Sequence, residues 1–190
     1  MDNWTRVKWT EAGQIAELLD WKEDLGERAR TSPQVFFETL KVDGRLHDAA
    51  FFLGQALPRH ETVAWAARLV RDLNQKMPAP KRPDADALKA ALLWVQDPSE
   101  QRRRAAYDAA QTAAGDSAER MAALAAFFSG GSIAPPDCPP VPAPNQAAGR
   151  FAAAAVVLAA IASGDQAGAL TQALAAGEVI AAKGLNAGAA

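Results

Sequence analysis

The sequence predicts an all-α fold: an irregular bundle or stack of about nine helices in antiparallel hairpins, with a proline-rich extended strap over 133–144. Three observations predict it. Strand signals are nearly absent, with no alternating Val/Ile/Thr/Tyr run and no Asn-Gly or Asp-Gly turn joining two apolar runs. Alanine, the best helix former, dominates the second half. Apolar residues recur at i, i+3 and i+4 between stretches that carry capping and breaking residues.

The first helix is expected over 11–21, with Thr10 as its cap and Ile15, Leu18 and Leu19 on one face. A second begins at Ser32-Pro33, an N-cap followed by proline at the first helical position, and stops near Asp43-Gly44. The third, 45–57, places Leu46, Ala49, Ala50, Leu53 and Leu57 on one stripe and ends at Pro58. The fourth, 59–74, turns Val63, Ala66, Ala67 and Val70 inward, with Arg68 and Arg71 on its polar flank. A semi-rigid proline loop, 76–84, precedes the fifth helix over 85–96. Asp97-Pro98-Ser99-Glu100 reads as cap, proline and acidic first turn of a sixth helix that ends at Gly115. Asp116 or Ser117 caps a seventh reaching Phe128, stopped by Ser129-Gly130-Gly131. Beyond the strap, Asn145 caps an eighth helix to about Ala162, and Asp165 caps a ninth ending near Lys183-Gly184. The domain organisation that follows is an N-terminal arm (1–10), one helical domain (11–184) and a frayed tail (185–190).

Composition narrows the function classes. A net charge of -2 and a pI near 5.7 argue against a general nucleic-acid binder or a polybasic membrane tether. A single cysteine excludes an intramolecular disulfide framework and a Cys-based zinc site. The most apolar run, FAAAAVVLAAIA at 151–162, is too short to span a bilayer and reads as a buried helix. The first residues, MDNWTRVKWTEAGQ, hold no apolar stretch of signal-peptide length, so a cytoplasmic location is expected.

No catalytic, cofactor-binding or metal-ligating residue stands out, and no cofactor is expected. His47 and His60 fall on different helices and form no metal pair. Cys138, in DCPP, has no base beside it and reads as a small side chain tucked under a loop. The glycines of SGGS at 129–132 lack the preceding strand and following Lys-Ser/Thr of a phosphate loop, so they read as a helix stop. Arg102, Arg103 and Arg104 are the most basic cluster, but neighbours on a helix point about 100° apart and do not form one patch. Trp65 and Trp94 sit in apolar helices and read as core. Trp4 and Trp9 lie in the arm: standing free it would present two hot-spot residues to a partner, folded back it would bury them. The candidate partner-binding residues are therefore Trp4, Trp9, Arg59, Arg68, Arg71, Arg103 and Arg104.

Three segments carry a family resemblance: AAFFLGQALPRHETVAWAARLVRD (49–72), ALLWVQDPSEQRRRAAYDAA (91–110) and AALAAFFSGGSIAPPDCPPVPAP (122–144). They resemble an uncharacterised bacterial family of small Ala- and Pro-rich helical proteins. The family pattern falls on Leu57, Pro58, Arg59, Val63, Trp65 and Ala66, then on Trp94, Val95, Asp97, Pro98, Arg103 and Arg104, then on Phe128 through Ser132. Where that family carries tryptophan and cysteine, this chain has Ala64 and Ala67, so no thiol chemistry carries over. Genes of the family are associated with type VI secretion loci. The resemblance thus implies a non-enzymatic protein-binding accessory, whether adaptor, chaperone or structural component, whose partner is another protein: a secretion component, effector or toxin. An alternative is an immunity protein that covers a basic toxin cleft with Glu17, Asp20, Glu23, Asp24 and Glu27. A further alternative, an enzyme of unknown class, would need a pocket holding His47, His60 or clustered carboxylates.

Overall fold

The computed structural model describes residues 3–185. Apart from Leu185, the expected frayed tail lies outside the described residues. Among the described residues the fold is all-α, with nine α-helices in chain order: α1 (Ala12–Leu18), α2 (Pro33–Val42), α3 (Leu46–Ala56), α4 (Arg59–Asn74), α5 (Arg82–Gln96), α6 (Glu100–Thr112), α7 (Ala118–Phe127), α8 (Ala147–Ala162) and α9 (Gln166–Lys183). A 3-10 turn, Gly26–Arg30, stands between α1 and α2 and was not anticipated. The extended pairing is confined to one isolated bridge, Ser132 with Pro142, within the strap.

Several boundaries follow the caps as read. Ser32 Oγ accepts from Val35 N–H at 3.3 Å, with Pro33 at the first helical position. Ser117 caps α7, and Asp165 caps α9 by accepting from Gly168 N–H at 3.0 Å. Others move. α1 starts from Glu11 rather than Thr10, in a capping box with Gln14. It stops at Leu18 because Asp20 enters the left-handed region (φ 57) and turns Trp21 N–H back onto Ala16 O at 3.1 Å. α5 begins at Arg82, three residues early, since proline is tolerated in a first turn. Ser99, not Asp97, caps α6, and Asp97 instead pairs with Arg102 at 3.0 Å. Gln146, not Asn145, precedes α8, because the Asn145 amide oxygen is taken by Arg59.

Burial follows the apolar stripes. Phe36, Phe37 and Leu40 turn inward from α2, each side chain contributing about 1.5–3 kcal/mol on burial. Phe36 and Phe52 meet with ring centroids 5.2 Å apart, and Trp21 closes on both. Trp65 is buried in α4, and its indole N–H donates to Ala173 O of α9 at 2.8 Å, so the one polar atom of the side chain is satisfied. Lys41 of α2 reaches across to Glu178 of α9 at 2.8 Å.

α8 lies at the centre, packed against α3, α4, α7 and α9. Its buried residues are small: Ala148, Gly149, Ala152, Ala153, Ala155, Val156, Ala159 and Ala160. The approach to α3 is backbone to backbone. A Cβ on Gly54 would lie 2.7 Å from Gly149 O, and one on Gly149 would lie 2.6 Å from Gly54 O. α3 and α4 lie against α8 rather than along each other, so the Leu57-Pro58 elbow is a corner and not a hairpin. One buried cluster contains residues from before and after the strap. No described helix is long and apolar enough to cross a membrane.

The arm packs back along the body. Trp4 is 8 % exposed, with its ring centroid 5.1 Å from that of Phe37. Arg6 N–H donates to Ala181 O at 2.9 Å, and its guanidinium pairs with the buried Glu61 at 3.0 Å.

Gly149→Ala is expected to destabilise the fold by about 2–3 kcal/mol, because the new methyl meets backbone that cannot move without shifting a helix. Gly130→Ala, which meets nothing within 4 Å, should stay within about 0.5 kcal/mol of the parent. Urea denaturation of both variants checks the pair; equal midpoints would remove the helix-contact account.

Candidate functional site

Three of the candidate arginines converge on the strap. Arg103 is buried to 4 % side-chain exposure. Its Nη1 donates to Phe127 O at 2.5 Å and its Nη2 to Ser132 O at 2.7 Å, while Nε holds Glu100 at 2.6 Å. The guanidinium also lies 4.7 Å from the Phe127 ring centroid. Arg104 donates to Ser132 O at 3.2 Å, to Ala134 O at 3.1 Å and to Glu100 at 2.8 Å. Arg59, at the start of α4, joins the two ends of the strap through Ser129 O at 3.3 Å and the Asn145 amide oxygen at 3.0 Å. Gly131, at φ 66, turns the chain against this cluster; a Cβ there would lie 3.1 Å from the Arg103 guanidinium.

The arginine triple thus divides. Arg102 turns away, to Leu93 O at 3.0 Å and to Asp97. Arg103 and Arg104 share Ser132 O because the strap curls over both, a convergence that helix geometry alone does not give. They act inward, on the chain's own backbone. Their hydrogen bonds, Arg103 first, hold the Glu100 carboxyl below the usual glutamate range against the opposing effect of burial.

The other candidates scatter. Trp4 is a core residue, the folded-back one of the two arrangements of the arm: its ring covers Phe37 instead of standing in solvent. Trp9 is partly buried, and its indole N–H donates to Gln55 O at 3.1 Å. Arg68 reaches Leu185 O at 3.4 Å. Arg71 is exposed and pairs with its neighbour Asp72 at 2.8 Å. His60 packs on Trp94 and shares a hydrogen bond with Val95 O at 2.9 Å, whereas His47 meets the Gln166 side chain elsewhere. Cys138 is exposed, not tucked under the loop, because the strap turns outward between Pro135 and Cys138. Among the described residues no group of three or more His, Cys, Asp or Glu side chains is placed to hold a metal ion.

Two concavities among the described residues exceed 500 Å³. A cavity of about 520 Å³ lies between the arm, the α3–α4 elbow and the start of α8, with Lys8, Trp9, Gln55 and Arg59 in its wall. An open groove of about 530 Å³ runs between α4 and α5 under the 75–81 connection. Its floor is Met77, Leu88, Leu92 and Leu93, and Arg71 and Lys89 stand in its wall. Sequence reading found Arg71, Arg59 and Trp9 but missed Lys8, Gln55 and the leucine floor. Only the i, i+4 and i, i+5 spacing of Leu88, Leu92 and Leu93, one leucine more than a single inward stripe needs, could have flagged the groove.

Arg103→Ala should cost about 2–4 kcal/mol, since it leaves Phe127 O without its donor, takes the shorter of two donors from Ser132 O and removes packing on Phe127, and should open 129–146 to limited proteolysis. Arg104→Ala, at the exposed edge, should cost about 1 kcal/mol or less. Because the folded Glu100 value is depressed, its contribution is full above the ordinary glutamate range and is lost as pH falls through the folded value. Urea midpoints compared between about pH 6 and pH 3 should show a shallower acid loss in Glu100→Gln than in the parent.

Residues 36–181, most of the chain, match the model of a family described as a family of unknown function, DUF6931. No curated protein and no solved structure matches the sequence. The arginine clamp, the SGGS turn and the central α8 all fall within the matched residues, and the chain belongs to this family of unknown function.

Proposed function

We propose that this chain is a non-enzymatic, cytoplasmic protein-binding accessory of type VI secretion, an adaptor or chaperone, and that its α4–α5 groove receives an acidic amphipathic helix of the partner. The secretion link rests on the resemblance of residues 49–72, 91–110 and 122–144 to proteins of such loci. The observation that carries the binding reading is the groove itself. Leu93 remains 39 % exposed beside the partly exposed Leu92 and Met77, an apolar floor flanked by polar side chains. Such a floor suits the apolar face of a helix laid in a groove.

Charge selects the occupant. Between residues 71 and 96 five cationic side chains stand against three acidic ones, on a chain whose net charge is -2. Arg71 and Arg82 are matched by Asp72 and Asp86, and Asp84 is buried and accepts from Ala114 N–H. Lys76, Lys81 and Lys89 carry no ion pair among the described residues. A helix with acidic flanks would complement them. The immunity alternative draws less support, because Glu23 is already paired with Arg28 and Arg45 and Asp20 with Lys22. The enzyme alternative draws less still, since His47 and His60 line no common cavity among the described residues.

Co-expression with the products of neighbouring secretion genes, followed by affinity purification, tests the proposal. One of them should be retained. Leu93→Asp should reduce retention at least about tenfold, and Lys89→Glu several-fold with a weaker salt dependence. Both positions are exposed, so circular dichroism should be unchanged. Retention of none of these proteins, or equal retention by Leu93→Asp, would overturn it.

A further inference from the structure

The cavity under the arm is independent of the groove and has a different character. We propose that it is a binding site for a small organic carboxylate with an apolar body and one hydrogen-bond donor. Its volume of about 520 Å³ is in the range of pockets that take small molecules and far exceeds what an inorganic ion fills.

The cationic side is built from two side chains and two helix ends. Lys8 and Arg59 stand in the wall, and no acidic side chain does. Lys8 has no ion pair or hydrogen bond among the described residues. Arg59 gives Nη1 and Nη2 to Ser129 O and Asn145 Oδ1, which fixes the guanidinium in place and leaves its Nε–H unclaimed. α4 begins with Pro58, whose side chain offers no acceptor, and the first amide of the helix to find a carbonyl is Thr62, on Pro58 O at 2.9 Å. α8 likewise begins at Gln146 without a side-chain cap. Both helices run 16 residues, and both first turns contribute to the cavity wall, through Arg59 and Thr62 and through Gly149. Uncapped N–H groups and the positive helix end favour an anion there.

Gln55 adds the second requirement. It is 7 % exposed and lines the cavity. Its Nε2 donates to Gln146 O at 2.7 Å, which fixes the amide and leaves Oε1 as an acceptor with no partner among the described residues. An acceptor that opens into the cavity is complemented by a donor on the ligand, which a sulfate dianion lacks. Trp9 and Leu57 supply the apolar wall. Trp9 is held in place by its own hydrogen bond to Gln55 O. An N-acylated or 2-hydroxylated carboxylate with a hydrophobic side group combines these features.

The test uses the full chain, ¹⁵N-labelled, titrated with N-acetyl-L-phenylalanine, with its neutral C-terminal amide, and with inorganic sulfate. The Trp9 indole and Gln55 side-chain resonances report. N-acetyl-L-phenylalanine should shift both saturably, its amide should bind at least tenfold more weakly, and sulfate should leave Gln55 unmoved. Lys8→Gln, a change at an exposed side chain, should weaken the carboxylate at least threefold with an otherwise unchanged spectrum. Equal binding of acid and amide, sulfate acting as well as the acid, no saturable shift at millimolar probe, or an unaffected Lys8→Gln protein would each overturn the assignment. The groove variants Leu93→Asp and Lys89→Glu should titrate like the parent, so failure here and failure of the protein-binding reading are separable.

Discussion

Because Gly54 and Gly149 meet with no side chain between them, α8 can sit against α3 while α4, α7 and α9 close around it. An alanine-rich helix buries little apolar area per residue, so its contribution comes from close backbone approach and many weak dispersion contacts. The bulky side chains lie on other helices: Phe52 and Trp65 on α3 and α4, which pack against α8, and Phe36 and Phe37 on α2, which packs on α3. This division explains why α8 has no strong polar face. A helix surrounded on several sides needs small residues more than it needs amphipathicity.

A central α8 imposes a connection. The chain leaves α7 at Phe127 and must travel outside the bundle before it enters the middle. Proline suits that path because it holds extended backbone, but it removes N–H donors and leaves carbonyls. A proline-rich strap is therefore rich in acceptors and poor in donors. Arginine is the complementary side chain, with five N–H donors and no acceptor. Phe127, Ser129, Ser132 and Ala134 all present carbonyls to Arg59, Arg103 or Arg104. Glu100 neutralises two of the three guanidiniums at the same point, so the clamp closes without leaving a buried charge unpaired.

The helices were legible in the sequence because periodicity and capping chemistry are local. Ser32-Pro33, Ser117 and Asp165 state their roles within four residues. Asn145 and Asp97 looked equally good as caps and are not, because each is claimed by an arginine: Asn145 by one 86 residues away, Asp97 by its near neighbour Arg102. The clamp was half legible. Arg103 and Arg104 stood out as charge, and the SGGS turn as geometry, but nothing local ties them across 24 to 30 residues. The concavities were hardly legible at all. Each is bounded by segments distant in sequence, and Gln55 or Lys8 has no distinguishing neighbour until the arm folds down.

The charge balance at the α3–α4 elbow shows why that corner differs from the rest of an acidic chain. Two cations arrive with the arm, at Arg6 and Lys8. Arg6 meets Glu61, the one acid in the first turn of α4, and neutralises it, the arginine half-exposed over a buried carboxylate. Arg59 meets only neutral acceptors, a carbonyl and an amide oxygen, so its charge is held in position but not cancelled. Lys8 meets nothing. Two uncancelled positive charges therefore persist beside two helix ends that have no side-chain cap. Proline at position 58 is what makes this possible. It forms the corner that turns α3 into α4, and as an N-cap it brings no acceptor to quench the amides it exposes. The residue that shapes the elbow thereby keeps it open to an anion.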